Sequence, residues 1–149
     1  MSCNSVQIAK QLVELAKKDD RALTPMQLLK LVYMAHGWML AIHGKPLISE
    51  HVEAWKYGPV ILELYEAVKS YGDQPVTNIA CENTPLDNQA QSIVEEVYSK
   101  YGDLNGMTLS MITHIKGSPW YEIWHKGKTV IPNDAISHYY QKFINDGQE

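Results

Sequence analysis

The segment at residues 24–44 constrains the fold more than any other part of the chain. Thr24 is a candidate N-cap, Pro25 suits the first helical position, and Gln27 lies where a capping box requires it. Gly44 is suited to end the helix in a left-handed conformation. The pattern predicts a helix of about 18 residues with an apolar stripe facing the core. The predicted stripe comprises Leu28, Val32, Ala35, Met39 and Ile42.

The rest of the chain is also predominantly helical by its apolar spacing. Helices are predicted at residues 5–18, 59–71, 85–101, 107–116, 119–126 and 134–144. Thr84, Ser118 and Asn133 are expected to cap three of them. The sequence at residues 46–57 predicts a short β-hairpin or an extended arm that packs against the helices. We therefore expect residues 1–149 to form a single, compact, mainly α domain of about six or seven helices with a small β-hairpin.

The octet EAWKYGPV, at residues 53–60, concentrates aromatic residues between two helical segments. Trp55 and Tyr57 are two residues apart, so an extended backbone would place both rings on one face. Gly58 and Pro59 are then expected to end the extended stretch and begin the next helix. The octet contains no nucleophile, metal-ligand cluster or phosphate-binding loop. It therefore indicates a surface for binding or a packing element rather than a catalytic site.

Several aromatic and histidine side chains have two interpretations. Buried rings stabilise a core, whereas exposed rings anchor interfaces. We expect Trp55 chiefly in the core, Tyr57 either buried or at an interface, and Lys56 in solvent, pointing away from both rings. Tyr33 and His36 share a helical face outside the core stripe, where they would border a groove beside the hairpin.

His114 lies near the end of a predicted helix, three residues before the turn that begins at residue 117. Either its imidazole satisfies a backbone group where two helices meet, or it contacts a partner.

The six histidines and the two cysteines, Cys3 and Cys81, show no spacing typical of a metal site. Cys81 lies in a turn-rich loop without an activating cation nearby in the sequence. The residues therefore predict no metal centre, no cofactor and no catalytic nucleophile.

Composition and charge narrow the function further. Thirteen basic and seventeen acidic residues give a net charge of −4, and Arg21 is the single arginine. Because nucleic-acid binding depends on clustered positive charge and favours arginine, a DNA-binding role is not expected. No apolar run approaches the roughly 18 residues of a membrane span, and residues 1–5 lack the features of a signal peptide. A cytoplasmic protein is therefore the expectation.

Four segments resemble the Panacea domain, the antitoxin domain of the SocA and GepA type that is often encoded in phages and prophages. The resemblance covers roughly residues 20–145, nearly the whole chain. The segments are TPMQLLKLVYMAHGW at 24–38, GKPLI at 44–48, the octet at 53–60, and Thr113-His114 followed by GSPW at 117–120.

The resemblance implies a protein that neutralises a toxin by binding it directly, without enzymatic activity. The partner would be the cognate toxin protein, whose active surface is covered by an aromatic-lined face. Two alternatives from other classes are a transcription regulator with a helix-turn-helix-like core and an adaptor that passes a bound protein to a protease. The candidate partner-binding residues are Tyr33, His36, Trp55, Lys56, Tyr57, Gly58, Pro59, His114 and Trp120.

Overall fold

Seven α-helices and one small antiparallel sheet make up the fold of residues 4–82 and 84–146, the part of the chain that the computed structural model describes. The mainly α prediction is thereby confirmed. The helices are α1 (Ser5–Lys18), α2 (Pro25–His43), α3 (Leu62–Val68), α4 (Asn88–Tyr101), α5 (Gly106–Thr113), α6 (Pro119–His125) and α7 (Asn133–Asp146). The strands are β1 (Val52–Trp55), β2 (Gly58–Val60) and β3 (Val130–Ile131).

Helix α2 lies at the centre of the fold. Residues 28–37 are buried without interruption, and the helix packs against α4, α5 and α7. Its start is as predicted, because the Gln27 amide donates to Thr24 Oγ1 at 3.3 Å and the Thr24 amide donates to Gln27 Oε1 at 2.8 Å. Gly44 ends the helix with a φ of 69°. Because buried residues occupy every side of the helix along this run, the core face of α2 is wider than one stripe.

One residue of the predicted core stripe is placed wrongly. Leu28, Val32, Ala35 and Met39 are buried, but Ile42 is 51% exposed. Ile42 belongs to the last turn of α2, which extends beyond the elements that cover the middle of the helix. Helical spacing alone does not show where such cover ends.

The octet forms a hairpin whose boundaries differ from the prediction. Strand β1 lies between β2 and β3, and Ala54 pairs with Pro59. The prediction that Pro59 begins a helix is wrong, because Gly58–Val60 is a strand and α3 begins only at Leu62. Proline is tolerated there because β2 is an edge strand, where a missing amide costs no ladder hydrogen bond. Strand β3 was not predicted, because a strand of two residues is too short to show an alternating pattern.

The start of α4 also differs from the prediction. The helix begins at Asn88 rather than at residue 85, and its N-cap is Asp87, whose carboxylate accepts from the Ala90 amide at 2.8 Å. Thr84 therefore does not cap it. Ser118, in contrast, caps α6 as predicted, accepting from the amide of the third helical residue at 3.2 Å.

Two further helix ends were placed wrongly. Helix α5 is capped by Asn105 and ends at Thr113, three residues before the predicted end. Asn133 was expected as the N-cap of α7 but is its first helical residue. The Asn133 side chain instead contacts the His36 imidazole at 2.9 Å. A long-range polar contact of this kind leaves no trace in local sequence.

Candidate functional site

The octet is attached to the helices through its main-chain carbonyl groups. Carbonyl oxygens at three alternate positions each accept a hydrogen bond from a side chain, and the three donors belong to α2, α5 and α6. The pairs are Lys30 Nζ to Pro59 O at 2.9 Å, Ser110 Oγ to Tyr57 O at 2.6 Å and Trp120 Nε1 to Trp55 O at 2.6 Å. We call these contacts the carbonyl clamp. Because an unpaired buried carbonyl is costly, the clamp satisfies these groups and fixes the hairpin turn at the same time.

Lys30 is the most unusual member of the clamp. Its side chain is only 1% exposed, and burial lowers its pKa to about 7. Among the described residues, no carboxylate lies within 4 Å of its Nζ. A lysine is almost never buried without a partner, and here the partner is the carbonyl of Pro59. Lys30 was not among the predicted site residues, although a single lysine inside the apolar run LLKLVYM is a usable signal.

Gly58 allows the hairpin to approach Lys30 this closely. Its φ is 115°, a conformation that residues with a side chain rarely adopt. A Cβ at this position would lie 3.0 Å from Lys30 Nζ and 3.3 Å from Thr113 Oγ1. Gly58 and Pro59 are both buried, so the structure places these two predicted site residues beneath the surface, where they hold the turn.

His114 and Trp120 meet at the junction of α5 and α6. The Trp120 ring is 5% exposed and packs edge-on against the His114 ring, with 5.1 Å between centroids. His114 Nδ1 lies 3.4 Å from Ser110 Oγ, so the imidazole contacts a hydroxyl rather than the backbone group that one interpretation expected. His114 is half-buried. It therefore supports the clamp from one side and reaches the surface on the other.

The side chains of residues 55–57 do not alternate between two faces as predicted for an extended strand. Strand β1 ends at Trp55, and the next two residues form the turn, so the expected extended backbone does not continue to Tyr57. Trp55 is half-buried and packs edge-on against Tyr65 at 5.0 Å. Tyr57 is 61% exposed. Lys56 is exposed as expected, but its Nζ lies over the Tyr57 ring at 5.4 Å instead of pointing away from it.

Tyr33 and His36 do not border a groove, because both are buried. The Leu47 amide donates to His36 Nδ1 at 3.3 Å, so Nε2 carries the proton that it donates to Asn133 Oδ1. Burial lowers the pKa of His36 and favours this neutral form. The Tyr33 ring packs against Tyr140 at 6.2 Å, and burial raises its pKa. These two residues connect α2 to α7 and belong to the core.

An apolar groove lies beside Tyr57. It has a volume of about 590 Å³ and is formed by the hairpin turn, the first turn of α2, the loop after residue 71 and one face of α5. Its exposed apolar side chains include Met107, 76% exposed, and Met111, 59% exposed. Tyr57 and His114 line the same groove. We call these four residues the Tyr57 surface. Neither methionine was among the predicted site residues, because helical spacing in α5 does not indicate which face of the helix stays exposed.

Within residues 4–82 and 84–146, no group of three His, Cys, Asp or Glu side chains is arranged to hold a metal ion. Over those residues, none of the helices combines the length and the hydropathy needed to cross a bilayer.

Comparison with known proteins identifies the family. A family model described as the antitoxin SocA-like Panacea domain matches residues 28–121, which include all three donors of the carbonyl clamp. Antitoxin SocA of Caulobacter vibrioides is 29% identical over 124 residues, which cover 76% of this chain. The chain spans just under two thirds of that relative's length, at 66%. No solved structure matches significantly. Since the family model covers well over half of the sequence, the chain belongs to the SocA-like Panacea-domain family.

Proposed function

We propose that this protein is an antitoxin that neutralises a cognate toxin protein by binding it directly through the Tyr57 surface. The relative from Caulobacter vibrioides is named an antitoxin, which supports the general role. The observation that supports the mode of action is an exposed tyrosine and two exposed methionines around one groove, beside a turn that the carbonyl clamp holds. The proposed mechanism is steric: the bound antitoxin covers the toxin's active surface.

The chemistry of the Tyr57 surface suits protein recognition. Tyrosine and methionine are enriched at protein interfaces, and tyrosine is frequent among the residues that dominate binding energy. Methionine is flexible and polarizable, so Met107 and Met111 can adapt to an apolar partner surface. His114 and Asp73 add polar groups at the groove. These groups provide binding contacts without requiring a nucleophile or a cofactor, and the proposal is therefore one of binding and not of catalysis.

The carbonyl clamp adds preorganisation. Binding costs less free energy when the contact residues are already held in their bound conformation. The hydrogen bond from Ser110 holds the carbonyl of Tyr57 itself, and the bonds on either side hold residues 55 and 59. At residue 57 only the side chain is then left to be ordered by the partner, and a tyrosine has few rotamers to lose.

The test begins with the product of the adjacent reading frame, co-expressed in the cytoplasm of a bacterial host. If it is toxic, wild-type antitoxin should restore growth and co-purify with it. Tyr57→Ala should weaken the complex by about 30-fold or more, the effect of losing an interface anchor worth about 2 kcal/mol. Met111→Ala should weaken it less. Both residues are exposed, so thermal melts of the free variants should match the wild type.

Leu62→Ala is the matched control, since Leu62 is an exposed apolar residue outside the groove. It should bind and rescue like the wild type. Growth rescue without a stable complex would exclude direct neutralisation. A tight complex that tolerates both groove substitutions would keep the antitoxin role but move the toxin-binding site elsewhere.

A further inference from the structure

A second exposed apolar patch lies on a different part of the molecule. Ile42, at the end of α2, is 51% exposed, and Phe143, near the end of α7, is 46% exposed. Both line a cavity of about 260 Å³ that is closed on its other side by α4. The Phe143 ring packs against Trp38 at 6.2 Å, so the patch is continuous with the core. It shares no lining residue with the groove beside Tyr57.

Two side chains of opposite charge on α4 lie at the edge of this patch. Glu96 and Lys100 line the same cavity and are both exposed. They are four residues apart in the order that favours an ion pair within a helix. Among the side chains that the structure describes, however, neither has an oppositely charged atom within 4 Å. Two other exposed pairs, Glu14–Lys17 and Glu66–Lys69, do form ion pairs, so the separation of Glu96 from Lys100 is not general to this surface.

We propose that this patch, comprising Ile42, Phe143, Glu96 and Lys100, binds a second copy of the same chain in a two-fold symmetric dimer. In a two-fold interface the same surface meets itself, so it must be complementary to itself. When two copies of α4 lie antiparallel about an axis midway between Glu96 and Lys100, each Glu96 faces the Lys100 position of the other copy. The two residues are about 6 Å apart along the helix, so both ion pairs form over one short contact.

The charge pattern favours a second copy over an unrelated partner. A partner of different sequence needs only one sign of charge on this face. The patch instead carries one acid and one base, spaced so that each faces the opposite charge when a second copy of α4 lies antiparallel to the first. The pairing also offsets repulsion between two chains that each carry a net charge of −4. Ile42 and Phe143 supply the apolar surface that leaves water on association.

Sedimentation velocity of the purified chain, from about 1 to 200 μM in low salt, tests the proposal. The wild type should show a monomer–dimer equilibrium. Glu96→Lys places lysine against lysine, and Lys100→Glu places glutamate against glutamate. Each reversal should raise the dimer dissociation constant by about tenfold or more, because it replaces two attractions with two repulsions. The double reversal should restore dimerisation.

A mixture of the two single variants gives the most specific result. Their charges complement each other at both contacts, so the two chains should form a heterodimer although neither forms a homodimer. Glu66→Lys is the matched control, since it changes the net charge equally at an exposed helix position away from the patch. Phe143→Ser should weaken the dimer without restoring association in any mixture.

Three results would overturn the proposal. One is a wild-type chain that stays monomeric across the concentration range. Another is a dimer whose dissociation constant neither charge reversal changes. The third is a mixture of the single variants that remains monomeric. Circular dichroism of each variant establishes that it is folded, which is expected because both α4 positions are exposed.

Discussion

A buried lysine distinguishes the core of this domain from an ordinary apolar helical core. Lys30 is buried in the central helix, and its Nζ donates to the carbonyl of Pro59. Keeping a cation there is unfavourable, which is why burial lowers its pKa to about 7. A neutral lysine still donates a hydrogen bond, so the contact that holds the turn survives deprotonation. The cost of the buried charge is therefore expected to appear as a dependence of stability on pH.

The sign of that dependence follows from the direction of the shift. The folded chain holds the Lys30 proton less tightly than the unfolded chain, in which the pKa is near 10.5. This contribution to stability is complete above pH 10.5 and is lost as pH falls toward about 7. We expect the free energy of unfolding to rise by about 2 kcal/mol between pH 7 and pH 9. Urea denaturation at the two pH values measures it.

Lys30→Met is the matched variant, since it keeps the long apolar stem and removes the titrating group. Its unfolding free energy should change little between pH 7 and pH 9. If wild type and variant show the same slope, Lys30 is not the group responsible. The range stops at pH 9 because burial raises the pKa of Tyr33 and Tyr140, whose titration acts in the opposite direction at higher pH.

Several helices in this chain are stabilised at their N-termini by polar side chains that act as caps. Thr24, Asp87, Asn105 and Ser118 each accept a hydrogen bond from an amide in the first turn of a helix. The hairpin has no such cap and depends on the carbonyl clamp from three helices instead. A two-stranded hairpin alone is marginal in water, so its position follows from the helices and not from its own sequence.

The cap of the central helix has a predictable energetic effect. Thr24→Ala removes the oxygen that accepts from the Gln27 amide. We expect a loss of about 1 kcal/mol in the free energy of unfolding, measured by urea denaturation. Thr77→Ala is the control, since Thr77 is an exposed loop residue. A loss equal to that of the control would show that the capping box contributes nothing to stability.

On the scale of the whole molecule, the distribution of charge separates the proposed function from a DNA-binding one. The net charge is −4 and Arg21 is the single arginine. Lys126, Lys128 and Lys142 line one groove between α6 and α7, together with Glu122, and form a small basic region. Three lysines on an acidic domain release few counterions from DNA, so any binding should be weak and highly sensitive to salt.

Gel-shift measurements with the protein's own promoter DNA test this expectation. At about 150 mM salt we expect no binding tighter than the micromolar range of non-specific complexes. Replacing the three groove lysines by glutamine should remove any residual binding seen at low salt. Nanomolar binding to the promoter at the higher salt concentration would instead support the transcription-regulator alternative.

The sequence by itself determined the elements whose signals are local. Helix α1 has the predicted bounds, and α2 begins at its predicted cap, because capping hydrogen bonds and apolar spacing involve residues a few positions apart. The mainly α class followed from the same patterns. A small hairpin was also predicted, but at residues 46–57, whereas its strands are Val52–Trp55 and Gly58–Val60. The octet was singled out by its aromatic residues and its Gly-Pro pair, and its role in binding stays a prediction.

Only the tertiary structure decided which residues of those elements form the site. Pro59 lies in a strand because β1 pairs with it across the turn and because Lys30, which is distant in sequence, donates to its carbonyl. Tyr33 and His36 are buried because α7 covers their face of α2, whereas Met107 and Met111 are exposed because none of the helices and strands described above covers theirs. Local patterns record the chain's own periodicity, but burial depends on which distant surfaces pack together, and that is settled when the whole core forms.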